Sequence, residues 1–124
     1  VPQDRQAAYD SFQAAVEGSN DGYALYNLGY MHLKGWVVPR DPNQALQYFK
    51  RALERGVGPA ANAIGVLATQ GDGVGVDYRA AAGWFEKGAN MSDPDSMYNL
   101  GTLYLHGEPG RREGGGGNRL WHYA

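Results

Sequence analysis

The side chains best suited to bind a metal or move a proton are the three histidines, His32, His106 and His122. A zinc or acid–base centre needs such residues at set spacings, as in H-E-x-x-H, or joined to clustered acids or a C-x-x-C pair. None of these patterns occurs, and with no Cys in the chain there is neither a thiolate ligand nor a disulfide framework. The stretch GDGVGVD, Gly71 to Asp77, has the glycine density of a phosphate cradle. A dinucleotide fingerprint follows a strand, however, and here the preceding pattern is helical, so the expectation is a turn between helices. Ser, His and Asp can form a triad from anywhere in a chain, but no serine stands in a G-x-S-x-G setting. Asp4, Asp41 and Asp77 recur at one phase, which is the behaviour of helix caps rather than of a catalytic acid. Asn90-Met91-Ser92 is an N-glycosylation sequon, close to chance for seven asparagines. These residues predict no metal, no cofactor and no enzyme chemistry.

Composition narrows the remaining classes. The 124 residues are 43% hydrophobic and 19% charged, an ordinary globular balance in a chain long enough for one core. A net charge of −2 and a pI near 5.9 leave no basic footprint for nucleic acid. The apolar runs fall far short of the roughly 18 residues of a membrane span. The chain opens at Val1 with no signal-peptide pattern, and it reads as a piece of something longer.

The elements that must position any binding residue are repeats. ALYNLGYMHLKG (Ala24 to Gly35), AANAIGVLATQG (Ala60 to Gly71) and SMYNLGTLYLHG (Ser96 to Gly107) are three copies at intervals of 36, with Gly29, Gly65 and Gly101 at one phase. A second segment alternates with them. VPRDPNQALQYFKRALERG (Val38 to Gly56) aligns with VGVDYRAAAGWFEKGANMS (Val74 to Ser92), and VPQDRQAAYDSFQAAVEGS (Val1 to Ser19) matches both at an offset of 37. Phe12, Phe49 and Phe85 stand in register, as do Ala15, Ala52 and Gly88.

Both segments carry apolar residues at i, i+4, i+7, as in Ala24-Leu28-Met31 and Ala45-Phe49-Ala52, which is helical periodicity. A mid-helix glycine costs about 1 kcal/mol against Ala. Its retention at Gly29, Gly65 and Gly101 predicts that a bulky side chain of the paired helix presses where a Cβ would be. Gly35, Gly71 and Gly107 suit the left-handed position after a helix, and Asp41 and Asp77 suit N-caps, with Pro42 following at N1. The unit is therefore helix A, a short loop, helix B and a turn. A single such pair cannot bury its apolar face, but stacked pairs can.

The pattern A-xxx-LG-xx-Y-xx-G-x-GV-xx-D-xx-KA-xx-WF-xx-A, nearest in Ala60 to Ala89, resembles the Sel-1-like repeat, a relative of the tetratricopeptide repeat. The first copy departs from it at GWVVPRD. The resemblance implies an all-α, right-handed α-solenoid of stacked helix-turn-helix units over residues 1–124. Residues 1–20 would be helix B of a truncated repeat, 21–57 and 58–93 full repeats, and 94–124 a partial one. Within the family, YNLGYMHLKG followed by AANAIGVL is similar to the luminal adaptors of the endoplasmic-reticulum ubiquitin ligase of ER-associated degradation. That likeness implies a protein-binding scaffold in the ER lumen, with a ligase subunit, a lectin or a misfolded client as partner. Cytoplasm and periplasm are the alternative compartments, and a hydrolase built on repeats or a self-associating spacer are the alternative functions. Sel-1-like branches with a Cys pair in each repeat do not fit a chain without Cys.

The tail EPGRREGGGGNRLWHYA has two readings. Adding 36 to the last helix B brings Glu113, Gly117, Leu120, Trp121 and Ala124 into phase, a third helix B weakened by four glycines. The alternative is a flexible linker. Both ends look cut from a longer array, and open ends invite self-association.

With core phases assigned to Ala24, Leu28, Gly29 and Met31 and their equivalents, the phases left to line an inner, concave face are Tyr23, Tyr26, Tyr30, Leu33 and Lys34 in the first copy. In the second they are Asn62, Val66, Thr69 and Gln70, and in the third Tyr98, Thr102, Leu105 and His106. Tyrosines at this spacing suit an interface, since each buries large area and keeps a polar tip, although some would instead pack between repeats. Trp36, in a loop, is a further anchor candidate.

Overall fold

A computed structural model describes residues 2–71 and 75–107, and all elements among them are helical. Six helices follow in order: α1 (Arg5–Ser19), α2 (Gly22–Lys34), α3 (Pro42–Glu54), α4 (Gly58–Gln70), α5 (Tyr78–Asn90) and α6 (Pro94–His106). α2, α4 and α6 are the helices A of the repeat, and α1, α3 and α5 are the helices B. Each packs chiefly on its neighbours in sequence, and α4 also reaches α6. The architecture is an all-α repeat solenoid.

Caps set the boundaries. Asp4, Asp41 and Asp77 accept from the backbone N–H three residues on, at 2.9–3.1 Å, and fix the starts of the helices B. Asp21 and Asp93 do the same for α2 and α6. The start of α4, at Val57, has no side-chain cap and relies on Pro59 and on burial. Each helix A ends on a glycine in the left-handed region, Gly35, Gly71 and Gly107, with φ of 73°, 76° and 80°. The A–B loops are tied at one repeated point, where Asp41 N–H donates to the His32 carbonyl at 2.8 Å and Asp77 N–H to that of Ala68 at 3.0 Å. Gly71 and Asp77 bracket the glycine-rich stretch, which joins α4 to α5; residues 72–74 lie outside the described residues.

The core follows the repeat register. Phe49 and Phe85 are fully buried. A Cβ on Gly29 would stand 2.6 Å from Cε1 and 2.7 Å from Cδ1 of Phe49, and one on Gly65 would meet the same atoms of Phe85. Each ring therefore lies on bare backbone, as the glycine phase predicts. Gly101 differs: among the described residues nothing lies within 4 Å of its Cβ position. The residue in register with Phe85 is Trp121, and the expected third helix B (Glu113, Gly117, Leu120, Trp121, Ala124) lies outside the described residues. α4 is the most buried helix, covered by α3, α5 and α6. At the next step of the stack, Gly88 of α5 admits the Ser96 hydroxyl of α6, which would meet any Cβ there.

One loop is strained. Val37, in the departing GWVVPRD segment, has φ of 71°, a conformation that β-branched residues rarely adopt.

Candidate protein-binding face

The expected binding residues project from α2, α4 and α6. Tyr26 and Tyr30, one turn apart on α2, meet edge to face at 5.1 Å between ring centroids. Both also lie against Phe49, at 5.8 and 5.2 Å. The Phe49 ring seated on Gly29 thus props both tyrosines, which are half-buried. Their ring bodies pack and their remaining surface lines a cleft of about 360 Å³, shared with Asn27, Lys34, Trp36, Pro59, Asn62 and Asp95. Packing and lining, set as alternatives from the sequence, are two sides of the same rings.

The electrostatics of the cleft are acidic at one end. Burial pushes the Tyr26 hydroxyl well above the usual tyrosine range, assisted by Tyr30 and by the carboxylates of Asp93 and Asp95. Tyr30 is raised too, first by burial and then by the same two carboxylates, against an opposing contribution from Tyr26. Both hydroxyls are therefore protonated at neutral pH, with the Tyr26 hydroxyl engaged by that of Tyr30. Asp93 is buried and occupied, accepting from Ser96 N–H at 3.0 Å and from the Ser96 hydroxyl at 2.7 Å. Asp95, in the first turn of α6, is exposed at the cleft.

Of the residues expected on the inner face, the cleft brings together Tyr26, Tyr30, Lys34 and Asn62. Asn62 is largely buried, and its Oδ1 accepts from Asn99 Nδ2 at 2.8 Å, a hydrogen bond linking α4 to α6. Asn99 Oδ1 is buried without a hydrogen-bond partner among the described residues. Leu33 packs against the core around Phe49 and Val66 against that around Phe85; both are half-buried and lie outside the cleft. Thr69 is buried, and its hydroxyl donates to the Val66 carbonyl. Tyr23 is 63% exposed outside the cleft. Gln70 is exposed, Thr102 and His106 are half-buried, and Tyr98 and Leu105 are 51% and 76% exposed on α6. Asn27, Pro59 and Asp95 were not expected; Pro59 and Asp95 follow Tyr23 by 36 and 72, a register that marks one end of the face.

A second hollow, of about 260 Å³, lies between α1 and α2, where Arg5, Phe12, Met31, Tyr30 and Trp36 contribute to its walls. The Arg5 guanidinium sits 4.2 Å above the Trp36 ring. Asn27, Tyr30 and Trp36 belong to both hollows.

Among the described residues no group of three or more His, Cys, Asp and Glu is placed to hold a metal, and no helix is long and apolar enough to cross a membrane. His32 stacks on Tyr48 at 5.2 Å, away from any acid cluster. Asn90 is exposed at the end of α5.

The model of the Sel1 repeat family matches residues 22–57, 58–93 and 94–113. The chain is 38% identical over 88 residues to the ERAD-associated E3 ubiquitin-protein ligase component HRD3B of Arabidopsis thaliana, covering 68% of the chain and 13% of that protein. It is 33% identical over 104 residues to the chitin synthase regulator SKT5 of Malassezia restricta, covering 82% of the chain and 7% of that protein. Among solved structures, a Sel1 repeat protein from Oxalobacter formigenes superposes with a TM-score of 0.78 at 30% identity, over 87% of this chain and 44% of that one. The chain thus spans a small part of the length of these relatives. Three matched repeats, the Phe-on-Gly register and the shared solenoid lead to one conclusion: the chain belongs to the Sel1 repeat family.

Proposed function

We propose that this chain is a non-enzymatic protein-interaction scaffold, that it holds a partner segment along the face shared by α2, α4 and α6, and that it works within an adaptor of the ER-associated ubiquitin ligase. The cleft carries the first part. It combines aromatic bodies, two protonated hydroxyls and exposed charges on a propped, preorganised wall, the composition of an interface rather than of a reaction centre. The likeness to HRD3B supports the ligase setting, the lumen of the endoplasmic reticulum as compartment, and a ligase subunit, lectin or misfolded client as partner. The bacterial solenoid supports the alternative of a cytoplasmic or periplasmic setting for the same scaffold.

The test is capture of a partner by the parent protein, with Tyr26→Ala and Tyr30→Ala combined. Loss of capture with a retained helical circular-dichroism spectrum is expected. Unchanged capture with an intact fold overturns the assignment of the face, and recovery of partners unrelated to a ubiquitin ligase overturns the setting alone.

A second reading, self-association through the exposed apolar residues of α6, is favoured by its burial pattern. Leu25 of α2 is wholly buried, whereas its counterpart Met97 is 49% exposed, and Tyr104 and Leu105 beside it are open. Sedimentation that shifts with concentration would support it, and a single concentration-independent species would not.

A further inference from the structure

The cleft has ends of opposite charge. Helices A run parallel in the stack, so residues 36 apart share a level along them. The N-terminal level holds Tyr23, Pro59 and Asp95, with Asp21 and Asp93 just before it. The C-terminal level holds Lys34, Gln70 and His106, with no acid among them. Asp95 and Lys34 both line the cleft, while Tyr26, Tyr30 and Asn62 lie between them. Asp95 and Lys34 are exposed and able to meet a partner, whereas Asp93 is engaged by Ser96 and adds only its field. Arg55, whose Cβ lies near Gly22, does not line the cleft.

We propose that the cleft reads charge order: it accepts an extended segment of a partner protein that sets a basic side chain against Asp95 and an acidic one against Lys34. The spacing follows from helix geometry. Lys34 lies eleven residues beyond Tyr23, the register mate of Asp95. At 1.5 Å per helical residue the two levels are about 16 Å apart along the helices, and the step across the stack from α2 to α6 adds to that. An extended chain rising ~3.3 Å per residue covers the axial part alone in about five residues. The partner's opposite charges therefore stand at least about five positions apart, in either chain direction. Its apolar or aromatic side chains between them lie on Tyr26 and Tyr30, and its backbone meets the Tyr30 hydroxyl, whose proton is not spent on Tyr26.

This inference rests on the shared face being the docking face, and its test separates the two. A displayed library of random twelve-residue peptides is selected against the wild-type chain, Asp95→Lys, Lys34→Glu, and the Tyr26→Ala/Tyr30→Ala pair, each first checked for helical content. The wild type should enrich a basic and an acidic residue at the stated spacing. Asp95→Lys should enrich two acids, and Lys34→Glu two bases. One enriched peptide, labelled and titrated by fluorescence anisotropy at low salt, should lose roughly two- to fivefold in affinity for each mismatched end, the range of exposed ion pairs. Reversing the peptide's charge at that end alone should restore it. Enriched peptides that need both tyrosines but carry no charge pair overturn the charge order and leave the docking face standing. Enrichment indifferent to the tyrosines, or no enrichment, overturns both.

Discussion

One substitution, made at three equivalent glycines, should have two different signs. Gly29→Ala removes the helix penalty of glycine, a gain of about 1 kcal/mol. It also places a Cβ 2.6 and 2.7 Å from two ring carbons of Phe49. That ring is fully buried and held by Tyr26 and Tyr30, so it cannot recoil without moving both. Forcing a methyl into a filled core costs about 1–3 kcal/mol, and a contact this short belongs at the upper end. The net loss is about 1–2 kcal/mol, or roughly 4–8 °C in Tm at about 4 °C per kcal/mol. Gly65→Ala, over Phe85, should behave alike. Gly101→Ala meets nothing within 4 Å among the described residues, and against those residues the propensity gain stands unopposed, a rise in Tm of roughly 4 °C. Thermal melts followed by circular dichroism decide the matter. Phe49→Leu combined with Gly29→Ala should recover part of the loss, a coupling read by a double-mutant cycle. If Gly29→Ala and Gly65→Ala melt at or above the parent, the Phe-on-Gly account of the stack is wrong.

Three further outcomes follow from the same coordinates. The combined Tyr26→Ala and Tyr30→Ala change should also lower stability, by about 3 kcal/mol or more, because both rings abut Phe49; Tyr26→Phe and Tyr30→Phe should keep the melt and isolate the hydroxyls in binding. Val37→Gly should raise stability by about 1 kcal/mol in a denaturant melt, since it relieves a left-handed β-branched residue. Burial lowers the His32 pKa from the ordinary 6.5, against a smaller upward pull from Asp41. The unfolded chain then binds the proton more readily, so stability is full above about pH 6.5 and declines as pH falls through the window below it. His32→Gln should flatten that decline in Tm measured between pH 7.5 and 5, a range chosen about the histidine midpoint.

Much of the fold was legible because the stacking rule is written in residue types. A glycine paired with a phenylalanine twenty positions on, twice over, states a close approach and names both partners. An aspartate before each helix B states its start. The binding face was harder. Periodicity tells which stripe of α2 is buried, but Leu33 and Val66 lie at the margin of the stripe, and only the neighbouring helices decide how much of each is covered. Asn62 was legible as a position and not as a hydrogen-bond acceptor, because its donor, Asn99, comes 37 residues later on another helix. Asp95 went unread since it sits before the apolar stripe of α6 begins, where a carboxylate is also explained by the helix start.

Trp36 has an outcome of its own. The indole is a partition with a room on either side: Arg5 leans on it from one, and the α2–α4 cleft opens on the other. Whatever presses on the ring from the cleft must be felt by α1, which shows no buried residue of its own. The first helix is thus hung partly on the wall that a guest would touch, and with Trp84 and Trp121 replaced by Phe the colour of the remaining indole's emission becomes a bell wired to that door.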